Sequence, residues 1–128
     1  MTKKARLTAI LAAALAVSSM AVSAIWLDHT SGSAGSIECH GYLYSYSSTK
    51  FGADTTASST PYHVSVDLTL SDGSADFSYY CNKKGNIWVS HYTSASVAVT
   101  GGAPASSATA HHVVVSDSGI SFDATTSH

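Results

Sequence analysis

Charged residues are scarce in this sequence, and their scarcity excludes several classes of protein. The 128 residues include six Lys or Arg and eight Asp or Glu, whereas 45% are hydrophobic. A chain this apolar is not a disordered tail, and nine glycines and two prolines are too few for collagen. No basic cluster follows the first six residues, so the sequence predicts no nucleic-acid partner.

The motifs of familiar enzyme classes are also missing. Glu38 is the only glutamate, which leaves no obvious carboxylate pair for glycoside hydrolysis. There is no Gly-x-Ser-x-Gly nucleophile elbow and no phosphate-binding glycine loop. We therefore predict a protein with no catalytic residues and no cofactor.

Seven histidines are present, but their spacing fits no metal-binding motif. They are His29, His40, His63, His91, His111, His112 and His128. Neighbouring histidines on a strand point to opposite faces, and the sequence has no helical His-x-x-x-His pair and no Cys/His cluster. The spacing predicts no dedicated metal site.

The N-terminus has the pattern of an export signal. Three basic residues precede an apolar run over residues 7–17, and the small residues at 22–24 suit cleavage after Ala24. A retained membrane anchor is the alternative, but the run is shorter than the roughly 18 apolar residues that a span requires. We predict that residues 1–24 are a cleaved signal helix and that 25–128 are secreted, without a transmembrane span.

Cleavage would leave a small acidic domain. It removes three of the six basic residues and no acidic residue, so three basic and eight acidic residues remain and the net charge is −5. A chain of about 100 residues buries one core, which predicts a single domain over 25–128. Protonation of all seven histidines would change that charge to +2. Attraction to anionic polymers would then rise in mild acid. The alternative is that the histidines lie on the surface and have no role in binding.

The two cysteines, Cys39 and Cys81, are expected to form a structural disulfide. Exported proteins meet an oxidising environment. Closing a loop of about 42 residues would stabilise the fold by about 4 kcal/mol in the chain-entropy model. The alternative is a reactive thiol, which the spacing does not indicate.

Alternating hydrophobic residues predict strands throughout the secreted part. In the clearest run, residues 62–70, every second side chain is apolar. Residues 72–73 are Asp-Gly, which suits a two-residue hairpin turn, and residues 75–81 continue the alternation. We predict that these two segments pair, with Val64 opposite Cys81.

The remaining segments complete an all-β fold. Further strands are predicted over 37–46, 87–92, 94–100 and 111–115, with short ones at 25–27 and around 120–122. We expect Val113 and Val115 to face the core opposite Phe122 and Ile120, and we expect residues 47–60 to form a loop. Six to eight closely spaced strands predict a small, hairpin-rich antiparallel β-sandwich.

Three tyrosines form the most distinctive pattern in the chain. Tyr42, Tyr44 and Tyr46 alternate, so they share one face of a strand, opposite Cys39 and Leu43. Such a stripe can stack on sugar rings or fill a partner's groove. It can also pack between two sheets, and we expect the tyrosines to be at least partly buried. If they are exposed, they are the leading binding residues.

These patterns favour a secreted, non-catalytic binding or interaction protein that acts outside the cell or at its surface. The ligand would be a cell-surface component, a glycan or a protein. An alternative is a secreted antagonistic protein, similar in general build to small β-sandwich bacteriocins. A secreted hydrolase with a site assembled from distant residues is the third possibility.

The export and disulfide predictions share one test. The protein released by a secreting host should have the mass of a chain that begins at Ile25, and non-reducing digestion should give a peptide pair joined through Cys39 and Cys81. A released chain that retains residues 1–24 would contradict the first prediction, and two alkylatable thiols would contradict the second.

Overall fold

The computed structural model describes residues 24–72, 84–89 and 92–128, and this part of the chain contains strands and turns but no helix. Eight strands follow one another: β1 (Ile25–Ala34), β2 (Ile37–Ser45), β3 (Lys50–Ala57), β4 (His63–Ser71), β5 (Lys84–Val89), β6 (Ser94–Thr100), β7 (Ser107–Val115) and β8 (Ser121–Ser127). All pair antiparallel, which confirms the all-β prediction. In the described ranges, no helix could cross a membrane.

The strands form two four-stranded sheets. Sheet A has the order β1-β2-β3-β6, and sheet B has the order β5-β4-β7-β8. Strand β1 contacts β8 at one side, and β6 contacts β4 and β5 at the other. One hydrophobic core takes side chains from both sheets, including Leu43 and Phe51 from sheet A and Leu68, Val114 and Phe122 from sheet B. These side chains show which face of each sheet is directed toward the core.

The alternation predicted for strand β4 is confirmed. Val64, Val66 and Leu68 are fully buried. The predicted pairing of this strand with residues 75–81 is wrong, however, because β5 and β7 lie along the two edges of β4. Val66 pairs with Ile87 on one side and with His112 on the other. Several segments alternate equally well, so alternation alone could not choose the partner.

The predicted disulfide involves a residue outside the described ranges. Cys39 is buried on the core face of β2, as expected, and its thiol donates a hydrogen bond to the Ile37 carbonyl at 3.4 Å. Cys81 and the rest of 75–81 lie outside the described residues. The pairing of Cys39 with Cys81 stays a prediction.

Strand β7 buries the face opposite to the predicted one. Val114 and His112 are buried, whereas Val113 and Val115 are only partly buried. Val115 pairs with Ser121, because the connecting loop has five residues and includes Gly119 at φ 88°. The prediction assumed a loop one residue shorter, and a slip of one residue exchanges the two faces of a strand.

Strand β3 lies where a loop was predicted. It occupies the middle of sheet A, between β2 and β6, and side chains on both of its faces are buried. Its sequence, Lys-Phe-Gly-Ala-Asp-Thr-Thr-Ala, has no apolar alternation and includes Gly52 and Ala53, which are poor strand formers. Glycine fits at position 52 because the Tyr44 ring covers it: a Cβ atom at Gly52 would lie 3.0 Å from that ring. Ala53 faces the other way and is fully buried in the core.

A buried histidine bonds the two sheets to each other. His112 is completely buried; its Nδ1 lies 2.9 Å from Thr55 Oγ1 on β3, and its Nε2 lies 2.8 Å from Thr126 Oγ1 on β8. A neutral imidazole has one donor and one acceptor, and each hydroxyl can match either role. Burial lowers the pKa of His112 to about 4, so the ring is neutral at pH 7.

The His112 ring rests directly on the backbone of β2. A Cβ atom at Gly41 would lie 2.5 Å from Cγ of the ring, which is closer than any side chain tolerates. Gly41 is therefore required for the sheets to approach this closely. The contact also sets the face of β2 that points inward.

We expect His112 to make stability depend on pH. Its pKa is about 4 in the folded protein and about 6.5 in the unfolded chain, so the unfolded chain binds the proton first as pH falls. The free energy of unfolding should be insensitive to this group above about pH 6.5. It should then fall by about 3 kcal/mol as pH drops from about 6.5 to about 4.

Urea unfolding at a series of pH values measures this effect, with His112→Gln as the non-titrating control. Asp54 and His29 also have shifted pKa values, so the difference between the two pH profiles isolates His112. Parallel profiles for the wild type and the variant would contradict the assignment.

A second prediction concerns Gly41. Gly41→Ala should lower the free energy of unfolding by about 2 kcal/mol, because the new methyl group must displace the His112 ring. Gly102→Ala is the matched control, since no atom lies within 4 Å of a Cβ atom there, and it should change stability by less than about 0.5 kcal/mol. In a His112→Ala background the Gly41→Ala cost should largely vanish. Equal losses for the two glycine variants would disprove the close contact.

Candidate functional site

The outer face of sheet A carries a cluster of aromatic and imidazole rings. Because Ile37, Cys39 and Leu43 of β2 face the core, the alternate residues of the strand, such as His40 and Tyr42, face outward. Together with neighbours on β1 they form what we call the ring surface: Trp26, His29, His40, Tyr42, Tyr44 and Tyr46. Tyrosine burial between the two sheets, one of the alternatives above, does not occur.

A β-bulge in β1 makes this cluster possible. Trp26 pairs with Tyr44 and His29 pairs with Tyr42, although strict alternation would place Trp26 and His29 on opposite faces. The register shifts between Trp26 and Asp28, which inserts one extra residue and returns His29 to the outer face.

The same bulge turns Asp28 toward sheet B. Its Oδ2 accepts a hydrogen bond from the Ser127 N–H of β8 at 2.9 Å, and its Oδ1 accepts one from the His29 N–H at 2.9 Å. These two bonds lower the pKa of Asp28. The bulge is therefore fixed by a contact between the two sheets.

Ring contacts join Trp26, His29, His40 and Tyr42, and a further ring contact joins Tyr44 to Tyr46. Trp26 lies against Tyr42 with ring centroids 5.3 Å apart and planes tilted by 51°. His29 lies 4.8 Å from Tyr42 with planes 22° from parallel. Trp26 is 49% exposed, so a large part of the indole is open to a ligand.

His29 and His40 contact each other directly. Nε2 of His29 lies 3.1 Å from Nδ1 of His40, and the ring planes are 14° from parallel. The centroids are 5.3 Å apart, much farther than the nitrogens, so the rings meet at their edges. Glu38 Oε2 lies 3.5 Å from the other nitrogen of His40. Burial, with a contribution from His40, lowers the pKa of His29.

Tyr44 and Asp54 form the buried floor of the ring surface. The Tyr44 hydroxyl donates to Asp54 Oδ1 at 2.9 Å, and only 5% of each residue is exposed. Burial raises the pKa of Asp54, and hydrogen bonds from Ser96 and Tyr44 partly offset this effect. Burial and the Asp54 charge raise the pKa of Tyr44. The Asp54 carboxylate is thus occupied by side chains of the protein.

The tyrosine stripe was predictable, but the complete surface was not. Tyr44 is buried, Tyr42 and Tyr46 are partly buried, and the Lys50 ammonium lies 5.1 Å from the Tyr46 ring centroid. Trp26 and His29 were missed because their position depends on the bulge. The sequence contains no bulge signal such as a glycine at this point.

Sheet B has smaller groups of polar and aromatic side chains on its outer face. His63 lies between Tyr62 and Trp88, with centroid distances of 4.3 and 5.8 Å. His111 Nε2 lies 2.6 Å from Asp123 Oδ1. Across residues 24–72, 84–89 and 92–128, no three His, Cys, Asp or Glu side chains are grouped to hold a metal ion.

The ring surface is therefore our candidate functional site. Comparisons of the chain with protein-family models, with curated proteins and with solved structures find no match.

Proposed function

We propose that this protein is exported, folds as a β-sandwich, and acts outside the cell as a non-catalytic module that binds glycans through the ring surface. Export is supported by the signal pattern before Ala24. The sandwich is supported by the single core between the two sheets. The observation that carries the binding role is the bulge that brings Trp26 and His29 beside Tyr42.

The core does not require these rings on the outer face. Trp26 is half-exposed and packs on Tyr42, so its apolar surface remains partly in contact with water. Aromatic residues with one open face and a polar tip are common in binding surfaces, because they supply contact area and lose few rotamers. A ligand that covers Trp26 would remove this remaining apolar area from water.

The mixture of rings and neutral polar groups favours a glycan. Sugar rings present apolar C–H faces that pack on aromatic rings, and their hydroxyls bond to side-chain oxygens and nitrogens. The ring surface supplies the indole of Trp26, the Tyr42 ring and the imidazoles of His29 and His40. Its charged groups are few: Glu38 contacts His40, and Lys50 lies over Tyr46.

Binding fits this surface better than catalysis. A general acid or base must reach the substrate, whereas Asp54 is buried and accepts the Tyr44 hydroxyl proton in a hydrogen bond. The raised pKa of Asp54 follows from burial beneath the rings. It therefore does not by itself indicate a catalytic acid.

Affinity electrophoresis through gels that contain soluble polysaccharides tests this proposal. The full chain should be produced in a secreting host and used in the form that the host releases. We expect retardation by at least one polysaccharide, and Trp26→Ala should weaken the binding at least tenfold, because it removes a half-exposed indole from the surface.

Trp88→Ala is the matched control. Trp88 is also an exposed tryptophan, at 59%, but it lies on sheet B, and its replacement should leave retardation unchanged. No retardation by any polysaccharide, or equal binding by wild type and Trp26→Ala, would overturn the proposal. Growth inhibition of neighbouring bacteria without glycan binding would instead favour the antagonistic alternative.

A further inference from the structure

Two imidazole nitrogens face each other at the edge of the ring surface. His29 lies on β1 and His40 on β2, and they are diagonal neighbours, because His29 pairs with Tyr42, two residues beyond His40. Nε2 of His29 and Nδ1 of His40 are 3.1 Å apart. Hairpin pairing of β1 and β2 holds the two backbones at this separation.

The separation matches that of two nitrogens bound to one metal ion. With metal–nitrogen bonds of about 2.0–2.1 Å, two imidazole nitrogens lie about 3.3 Å apart at a tetrahedral zinc ion. At the same bond length they lie about 2.9 Å apart at a square-planar copper ion. The 3.1 Å observed falls between these values.

Glu38 orients one of the two rings for this role. Its Oε2 lies 3.5 Å from Nε2 of His40 and favours the tautomer that carries a proton there, which leaves the Nδ1 lone pair directed toward His29. Metal-bound histidines commonly have such a carboxylate partner on the other nitrogen. Asp28 is engaged by the backbone N–H groups of His29 and Ser127, so it stays outside the pair.

We propose that His29 and His40 together bind one divalent copper or zinc ion, which links β1 to β2 on the outer face of sheet A. The ion replaces the hydrogen bond between the rings. The proton on Nε2 of His29 moves to Nδ1 of the same ring through solvent, so both rings stay neutral and no net proton is released. Both rings turn slightly so that their lone pairs converge on the ion.

Two protein ligands make an open site. Water or an incoming ligand fills the remaining coordination positions, since both metals bind at least four ligands in proteins. Imidazole nitrogen suits copper and zinc but not magnesium, and copper(II) should bind more tightly than zinc. Neutral imidazole is the binding form, and the lowered pKa of His29 keeps that ring neutral at pH 7.

Isothermal titration of the full chain, in the form that a secreting host releases, with CuCl₂, ZnCl₂ and MgCl₂ at pH 7.5 tests the proposal. We expect a saturable copper site of one ion per chain, weaker zinc binding and no magnesium binding. His29→Asn and His40→Asn should each raise the copper dissociation constant at least tenfold. Glu38→Gln should raise it about tenfold through the orientation of His40.

His111→Asn is the matched control, because His111 is also exposed and also contacts a carboxylate, that of Asp123. It should leave copper affinity unchanged within twofold, and circular dichroism should show that every variant is folded. Absence of a saturable site would overturn the proposal. So would unchanged affinity in His29→Asn and His40→Asn, or loss of the site in His111→Asn. Metal titration contains no polysaccharide, so its outcome is independent of glycan binding.

Discussion

The His112 ring packs directly on the Gly41 backbone, and this contact holds the two sheets together. The ring fills the space between the sheets, and its two nitrogens bond to Thr55 in sheet A and Thr126 in sheet B. No side chain larger than hydrogen fits at Gly41 beneath it. This contact therefore sets the distance between the sheets and the inward face of β2. Since side chains alternate along a strand, inward Gly41 places both of its neighbours, His40 and Tyr42, on the outer face.

The outer rings follow from that arrangement and from one irregularity in β1. Asp28 bonds to Ser127 on β8 and holds the bulge, and the bulge brings Trp26 and His29 to the face that carries Tyr42. Tyr44 then covers Gly52 and binds Asp54, which gives the surface a rigid, buried floor. Rigid support of this kind reduces the entropy lost when a ligand binds. The proposed glycan site and the proposed metal site are adjacent parts of the same surface. Trp26 is central to the glycan site, and the His29–His40 pair forms the metal site.

Sequence patterns predicted those elements whose own residues determine them. The buried alternation of β4 and the shared face of Tyr42, Tyr44 and Tyr46 required only the two-residue period of a strand. Strand β3 was missed because Gly52 lies beneath the Tyr44 ring of another strand, and that reason for a small residue lies outside the segment itself. The inward face of β7 was wrong because it depends on the length of a five-residue loop. The joining of His29 with His40 depends on a bulge and on pairing between two strands, neither of which has a local signature.

Nuclear magnetic resonance of the His112 imidazole tests the central contact most directly. We expect nuclear Overhauser effects between the His112 ring protons and the α protons of Gly41. We also expect the ring nitrogens to keep the chemical shifts of a neutral imidazole on acidification from pH 7 to pH 5. A ring that shows no contact with Gly41 and becomes protonated near pH 6.5 would contradict these expectations, because such a ring would be exposed to water and could not set the spacing of the sheets.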